Sequence, residues 1–249
     1  MNRGRCIKIE NDLNTIESII KDLKSKKEIR NEKNEKIVEA DYVILQKYIE
    51  RPLLYKGRKF DIRLWVMLIS DRNKEVFIFK EGHLKATCDQ YSLDTNEPFV
   101  HLTNYSVQKH HKNFSKIEKG NEISFSEFKS ELKNDELFNK IYNKITYIVR
   151  LTITSAKQRI NLLNRRKCFE IFGYDFLIDE MYSPFLIEVN TNPGLEESSP
   201  LIAMLTPRMI DDALKLTIDV EYKNTNKDYA FHVDGYDDKE NMWESFQLL

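Results

Sequence analysis

Residues 172–194 read FGYDFLIDEMYSPFLIEVNTNPG and predict two strands joined by a short turn. Side chains alternate between the two faces of a strand, so Asp175 and Leu177 share the face opposite the aromatic residues around them. On the second strand, alternation separates two sets of side chains: Phe185, Ile187 and Val189, and Leu186, Glu188 and Asn190. If the apolar sides are buried together, Asp175, Glu188 and Asn190 lie on one surface.

These three side chains provide two carboxylates and an amide oxygen, which are the hard ligands that Mg²⁺ prefers. Magnesium usually keeps several waters and takes further ligands from phosphate oxygens, so the pattern favours a nucleotide-metal site. The alternative is the solvent-exposed polar face of an ordinary half-buried hairpin.

A second polar face comes from KFDIR at residues 59–63, where Lys59, Asp61 and Arg63 alternate with apolar side chains. Such a strand offers cations for phosphate or carboxylate and an acceptor for a ribose. A surface salt-bridge ladder is the commoner origin of this pattern. The HLTN turn at residues 101–104 adds hydroxyl and amide groups, and Arg3-Gly4-Arg5 resembles a phosphate-cradling turn.

The other patterns mix helices and strands without regular βαβ spacing, which indicates the α+β class. The expected elements are a helix beginning at Asn11 or Asp12, a lysine-rich loop over 24–36, strands over 41–49, 59–70 and 75–80, a capping box at Ser124 and Glu127 that opens a helical stretch to about residue 163 with a break near Asn134, and a helix from Thr206-Pro207 to about residue 219. Beyond Tyr222 the acidic tail is either weakly ordered or docked by its aromatic side chains.

Composition excludes several classes of protein. Lysine and arginine (39) nearly balance aspartate and glutamate (40), so no global field favours nucleic acid or a membrane surface. No apolar run approaches the roughly 20 residues of a membrane span. The three widely separated cysteines match no zinc spacing and fit a reducing compartment. We therefore expect a protein of the cytoplasm; we also expect it to be a monomer.

The ordered motifs RGRCI, VILQKYI, KFDIR, EGHLKAT, HLTNYS, FGYDFLID and LIEVNTNP resemble the tubulin–tyrosine ligase-like family over residues 2–220. The resemblance implies an ATP-grasp fold of central and C-terminal subdomains with mostly antiparallel sheets and flanking helices. The implied boundaries are a lid remnant at 1–58, the C-terminal subdomain at 59–222 and a polar tail at 223–249.

The resemblance also implies a role for each matching residue. Adenine would be read by Gln46, Lys47, Tyr48 and Ile49 and covered by Leu177; ribose and phosphates would contact Lys59, Asp61, Thr103 and Asn104; Mg²⁺ would bind Asp175, Glu188 and Asn190. Arg63 and Lys85 would act as catalytic cations at the acidic acceptor or the incoming amino acid.

The implied reaction is phosphorylation of an acceptor carboxylate by ATP, followed by attack of a free amino acid on the acylphosphate. The expected acceptor is tubulin or a similar acidic protein, and the expected location is the cytoskeleton, including cilium or basal body. Glutamate is the expected amino acid because glutamylation is the commonest activity of the family, with glycine and tyrosine left open.

Three departures from the family pattern leave a second interpretation open. Met1 stands immediately before the Arg-Gly turn, so the N-terminal lobe and its nucleotide lysine are expected to be missing. Cys6 replaces the usual second glycine, and Lys85 replaces an arginine, which keeps the charge but loses the bidentate fork. The alternative is therefore a truncated, non-catalytic nucleotide- or microtubule-binding protein.

Overall fold

Strand β4, Arg58–Ser70, is the centre of a twisted antiparallel sheet, because its thirteen residues pair with neighbours along both edges. The structure is a computed structural model that describes residues 7–24, 29–30, 36–38, 44–70, 74–163, 165–222 and 231–246. Its helices are α1 Leu13–Lys24, α2 Pro98–His101, α3 Tyr105–Gln108, α4 Phe125–Leu132, α5 Asp135–Ala156, α6 Pro200–Thr217 and α7 Asp219–Tyr222. Its strands are β1 Ile29–Arg30, β2 Lys36–Val38, β3 Leu54–Tyr55, β4, β5 Lys74–Phe79, β6 His83–Ala86, β7 Glu122–Ser124, β8 Cys168–Ile178, β9 Pro184–Asn190 and β10 Trp243–Phe246.

β5 and β6 both pair with one edge of β4; β10 continues the sheet beyond β5, and β7 continues it beyond β6. β8 pairs with the other edge of β4, and β9 pairs with β8. One face packs on α4 and α5 through the inward residues of β4, such as Phe60, Ile62 and Leu64. The opposite face packs on α6 through Trp65 and Met67. The β4 residues packed with α6 are Trp65, Met67 and Ile69, whereas the same face carries Lys59, Asp61 and Arg63 at the beginning of the strand.

Several sequence predictions are confirmed. Asp12 caps α1 by accepting from Thr15 N at 2.8 Å, and Ser124 and Glu127 form the expected capping box. Asn134 breaks the helical stretch by capping α5, which ends at Ala156 rather than near residue 163. Residues 231–246 are docked, as one of the two alternatives for the tail, with Trp243 4% exposed.

Three predicted elements are wrong. Helix α6 begins at Pro200, because Ser199 accepts from Ile202 N and serves as the N-cap, and Pro207 then lies inside the helix. The lysine-rich stretch contains β1, and the antiparallel partner β2 begins at the last residue of that stretch, Lys36. Residues 44–49 form no strand; residues 1–6 and 41–43, which hold the Arg-Gly turn and the start of that strand, lie outside the described residues. Among the residues described, no helix combines the length and apolar character needed to cross a bilayer.

Arg208 of α6 holds residues 231–246 against this helix through hydrogen bonds. It is fully buried, binds Asp212 at 2.7 Å, and donates to the carbonyls of Phe231, Asp237 and Glu240. Asp212 in turn accepts from Met242 N at 2.8 Å. A buried pair with these additional hydrogen bonds has its desolvation offset. Without Arg208, Asp212 would keep only Lys215, 3.3 Å away, as a cationic partner among the described residues, and the three carbonyls would lose this donor.

Substitution Arg208→Met should lower the free energy of unfolding by about 3–5 kcal/mol, measured by urea denaturation. Lys21→Met is the control, because Lys21 pairs with Glu17 at the same helical spacing and both side chains are exposed. Its loss should cost less than about 1 kcal/mol. Equal losses in the two variants would contradict this account of the tail.

Candidate functional site

Charged side chains from four strands meet on the same face of the sheet as Trp65 and Met67, toward the beginning of β4. Asp61 lies opposite Lys85 in the β4–β6 register, and Arg63 lies opposite Asp175 in the β4–β8 register. Asp175 is also paired with Glu188 across β8–β9. Strand alternation therefore brings together side chains that are more than a hundred residues apart in sequence.

Two cations hold Asp175 at the centre of this group. Arg63 binds it through two parallel hydrogen bonds, Nε to Oδ1 at 2.7 Å and a terminal nitrogen to Oδ2 at 2.9 Å. Lys85 Nζ lies 3.1 Å from the same Oδ1 and 2.9 Å from Asp61 Oδ2. The other oxygen of Asp61, Oδ1, is buried and has no hydrogen-bond partner among the described residues.

The ionisation of these groups follows from burial and mutual contact. Burial disfavours the Asp175 carboxylate, but Lys85 and Arg63 outweigh it and hold its pKa well below the usual range. Burial raises the pKa of Asp61, with Lys85 opposing the rise. The lysine itself keeps a raised pKa despite burial, because two carboxylates face it. The cluster is thus a set of mutually paired and mostly buried groups, and charges in such a region act more strongly on a bound anion than charges in water do.

The proposed metal ligands fit a hard cation. Asn190 Nδ2 lies 3.2 Å from Asp175 Oδ2 and 3.1 Å from Glu188 Oε1, so a single donor sits between two carboxylates. A divalent cation at the position of Asn190 Nδ2 would contact the same two carboxylate oxygens. A flipped Asn190 amide would present Oδ1 to that cation. In the described part of the chain, no three or more His, Cys, Asp or Glu side chains are grouped so that they could hold a metal. The set of Asp175, Glu188 and Asn190 is not such a group, because its third member is an amide.

A β-bulge explains one difference from simple alternation. The register shifts between Asp175 and Phe176, so that Glu188 and Leu186 face successive residues of β8 and Ile187 is the extra residue. Leu186 therefore packs in the core against α4 and α5 instead of sharing a face with Glu188, as strict alternation predicted. The polar side chains keep their predicted face because they lie on one side of the bulge.

Tyr48 links the segment at residues 44–49 to the cluster. Lys59 Nζ donates to its hydroxyl at 2.9 Å and lies 4.4 Å from its ring centroid. The same hydroxyl is 2.8 Å from His101 Nδ1, and His101 Nε2 is 2.6 Å from Thr95 O. Burial lowers the pKa of Lys59 to about 8, although Asp61 opposes the shift.

The other residues that the resemblance implies as nucleotide contacts remain predictions. Gln46 and Lys47 are exposed, whereas Ile49 is half-buried. Thr103 and Asn104 lie directly before α3, where they are half-buried. Leu177 is 6% exposed and lies two residues beyond Asp175 on β8.

Sequence reasoning missed three polar residues beside the cluster: His83, Glu122 and Ser198. His83 and Glu122 are buried on β6 and β7, and Ser198 Oγ donates to Glu122 at 2.9 Å. The EGHLKAT motif contains His83, but β7 has only three residues, too few for alternation to be read from sequence.

The arrangement as a whole defines an α+β protein whose sheet carries a cluster of paired cations and carboxylates on one face. Comparison with known sequences agrees: residues 1–228 match the model of the Tubulin-tyrosine ligase family. The chain belongs to that family, and its sheet and helices are consistent with the ATP-grasp-like fold of the family.

Its relatives include tubulin glycylases. Tubulin glycylase 3B of Drosophila melanogaster is 34% identical over 186 residues, which cover 71% of this chain and 24% of the relative. Tubulin glycylase 3C of Tetrahymena thermophila is 33% identical over 233 residues, which cover 91% of this chain and 20% of the relative. The chain thus spans about a fifth to a quarter of the length of these relatives.

The depressed pKa of Lys59 predicts a pH dependence of stability. The unfolded chain protonates this amine with the ordinary pKa of 10.5, whereas the folded protein does so at about 8. Between these values the unfolded state binds more protons, so folding becomes more favourable as pH rises. Relative to Lys59→Met, the wild type should gain about 2 kcal/mol in unfolding free energy between about pH 7.5 and about pH 10.

Chemical denaturation at a series of pH values measures this difference. Lys47→Met is the control, since Lys47 is exposed, and its difference from the wild type should stay flat with pH. A flat difference for Lys59→Met as well would show that Lys59 is solvated and is not the buried cation described here.

Proposed function

We propose that this chain carries the ATP- and Mg²⁺-dependent ligase site that joins glycine to a glutamate carboxylate of tubulin. Membership of the family and the tubulin glycylases among the relatives support this proposal. The observation that carries it is the convergence of Arg63 and Lys85 on Asp175, beside Glu188 and Asn190, on one face of the sheet.

Asp175, Glu188 and Asn190 would hold Mg²⁺, which when bound neutralises charge on the phosphate oxygens of ATP. Asp61 and Lys59 border this position on β4, so a nucleotide could lie between the metal ligands and Tyr48. Lys59 keeps a desolvated amine against the Tyr48 ring, and an arriving phosphate would supply the counter-charge that it lacks.

The chemistry requires two displacements. A carboxylate oxygen of the acceptor attacks the γ-phosphorus of ATP and ADP leaves, which gives an acylphosphate. The neutral amine of glycine then attacks the carbonyl carbon, phosphate leaves, and the nitrogen loses a proton to give the amide. Fixed cations favour both steps because negative charge builds up on the transferring oxygens.

In this proposal Arg63 and Lys85 stabilise that charge and orient the carboxylates. Arg63 presents a planar fork to Asp175, and Lys85 bridges Asp175 and Asp61. A substrate carboxylate carries the same group that both cations already bind, so it can compete for them without a change in their protonation.

Glycine replaces glutamate as the proposed amino acid. The glutamate expectation rested on how common glutamylation is in the family, and the relatives' names do not support it. Glycine was among the alternatives left open, and it is the amino acid that the names of these relatives imply. Tubulin as acceptor, monomeric state and a location on cytoplasmic or ciliary microtubules are further parts of the proposal.

The direct test supplies the purified chain with tubulin, Mg²⁺, ATP and radiolabelled glycine, glutamate or tyrosine. We expect ATP-dependent incorporation of glycine into tubulin and little incorporation of the other two. Binding of Mg²⁺ and ATP without transfer of any amino acid would contradict the proposal and favour the non-catalytic alternative.

Glu188→Gln should abolish glycine incorporation, because it removes one of the two anionic metal ligands. The side chain is exposed, so the melting temperature should change little. Glu170→Gln is the matched control, since Glu170 is an exposed residue near the start of β8. Unchanged incorporation by Glu188→Gln would remove Glu188 from the site.

A further inference from the structure

Glu122 forms the wall of the charged cluster next to Lys85. The two residues are partners in the β6–β7 register, and Glu122 is 7% exposed. Its Oε1 accepts from Ser198 Oγ at 2.9 Å and lies 4.0 Å from His83 Nε2. This wall brings a third carboxylate to the lysine that already bridges Asp61 and Asp175.

Burial raises the pKa of Glu122, whereas hydrogen bonds from Ser199 and Ser198 and the charges of Lys85 and Arg63 favour the carboxylate. Burial lowers the pKa of His83 well below its usual value, so the ring is neutral and adds no cation. The serine hydroxyls at 198 and 199 contribute only neutral donors. The positive charges that face Glu122 are Lys85 and Arg63, and both are engaged by Asp175.

An amino acid whose α-carboxylate pairs with Lys85 would lie beside Glu122, because register partners on adjacent antiparallel strands are about 5 Å apart at Cα. Glycine brings no side chain toward the wall. A glutamate side chain would have to place a second desolvated carboxylate next to Glu122, where like charges at close range repel strongly.

We propose that Glu122 is a specificity-determining residue that excludes amino acids with an acidic side chain from the subsite at Lys85. The inference rests on the proposed ligase function and adds a physical reason for glycine over glutamate. Selection here acts by an unfavourable contact with the wrong substrate and does not require an additional contact with glycine.

The test is a competition between glycine and glutamate, each with a different radiolabel, for ATP-dependent incorporation into tubulin. Glu122→Gln keeps the size of the side chain and its ability to accept from Ser198, but removes the negative charge. We expect the glycine-to-glutamate ratio to fall by about tenfold or more in this variant. Glu131→Gln, on the exposed side of α4, should leave the ratio unchanged.

Labelled tyrosine, as a third substrate, distinguishes selection by charge from selection by size, because its side chain is large but uncharged. Glu122→Gln should not admit labelled tyrosine, because the wall keeps its volume. Calorimetric titration of glutamate into Glu122→Gln, with Mg²⁺ and a non-hydrolysable ATP analogue, should show binding that the wild type lacks. A thermal melt checks that the fold is retained.

The outcomes are distinguishable. If the wild type incorporates glycine and Glu122→Gln keeps the same ratio, the role of Glu122 is wrong while the ligase proposal stands. Equal gains for glutamate and tyrosine would assign selection to size and overturn the charge argument. A wild type that incorporates neither glycine nor glutamate would overturn the ligase proposal itself, and the specificity inference with it.

Discussion

The bidentate contact between Arg63 and Asp175 is the interaction on which the candidate site depends. It joins the centre of β4 to β8 on the face that carries the other charged groups, with distances of 2.7 and 2.9 Å. Asp175 is 3% exposed, so an unpaired carboxylate there would be strongly disfavoured. Arg63 and Lys85 keep Asp175 ionised, which the proposed metal site with Glu188 and Asn190 requires.

Gly173 makes room for this contact. A Cβ at that position would lie 3.2 Å from a terminal nitrogen of Arg63 and 3.0 Å from Pro193 Cβ. Any other residue would therefore push the guanidinium away from β8 or displace the loop that follows Asn190. The glycine of FGYDF therefore has a steric role, because β8, Arg63 and the loop with Pro193 pack closely at this position.

The sequence carried enough information for the strands that hold the site, because long alternating runs specify both the strand and its faces. Asp175, Glu188 and Asn190 accordingly lie together as predicted. The bulge at Ile187 could not be read, since an extra residue leaves no mark in a run of apolar letters. The start of α6 was misplaced because Ser199-Pro200 and Thr206-Pro207 are equivalent signals, and only packing against β4 distinguishes them.

Long-range partners were also beyond the sequence. The line from Lys59 through Tyr48 to His101 joins three segments through side-chain hydrogen bonds that no local pattern encodes. Glu122 was missed for a similar reason, since a three-residue strand shows no period. Both features border the cluster. Its walls could therefore not be predicted from the sequence, whereas the grouping of Asp175, Glu188 and Asn190 could.

Binding of Mn²⁺ as a paramagnetic substitute for Mg²⁺ tests the central claim most directly. Electron paramagnetic resonance would follow free Mn²⁺ during titration of the wild type and Asn190→Ala, with and without ATP. We predict ATP-dependent binding of Mn²⁺ at one site in the wild type. The Mn²⁺ affinity of Asn190→Ala should be at least about tenfold weaker. The exposed Asn139→Ala should behave as wild type. Equal Mn²⁺ affinity in all three proteins would contradict the assignment of this cluster as the nucleotide-metal site.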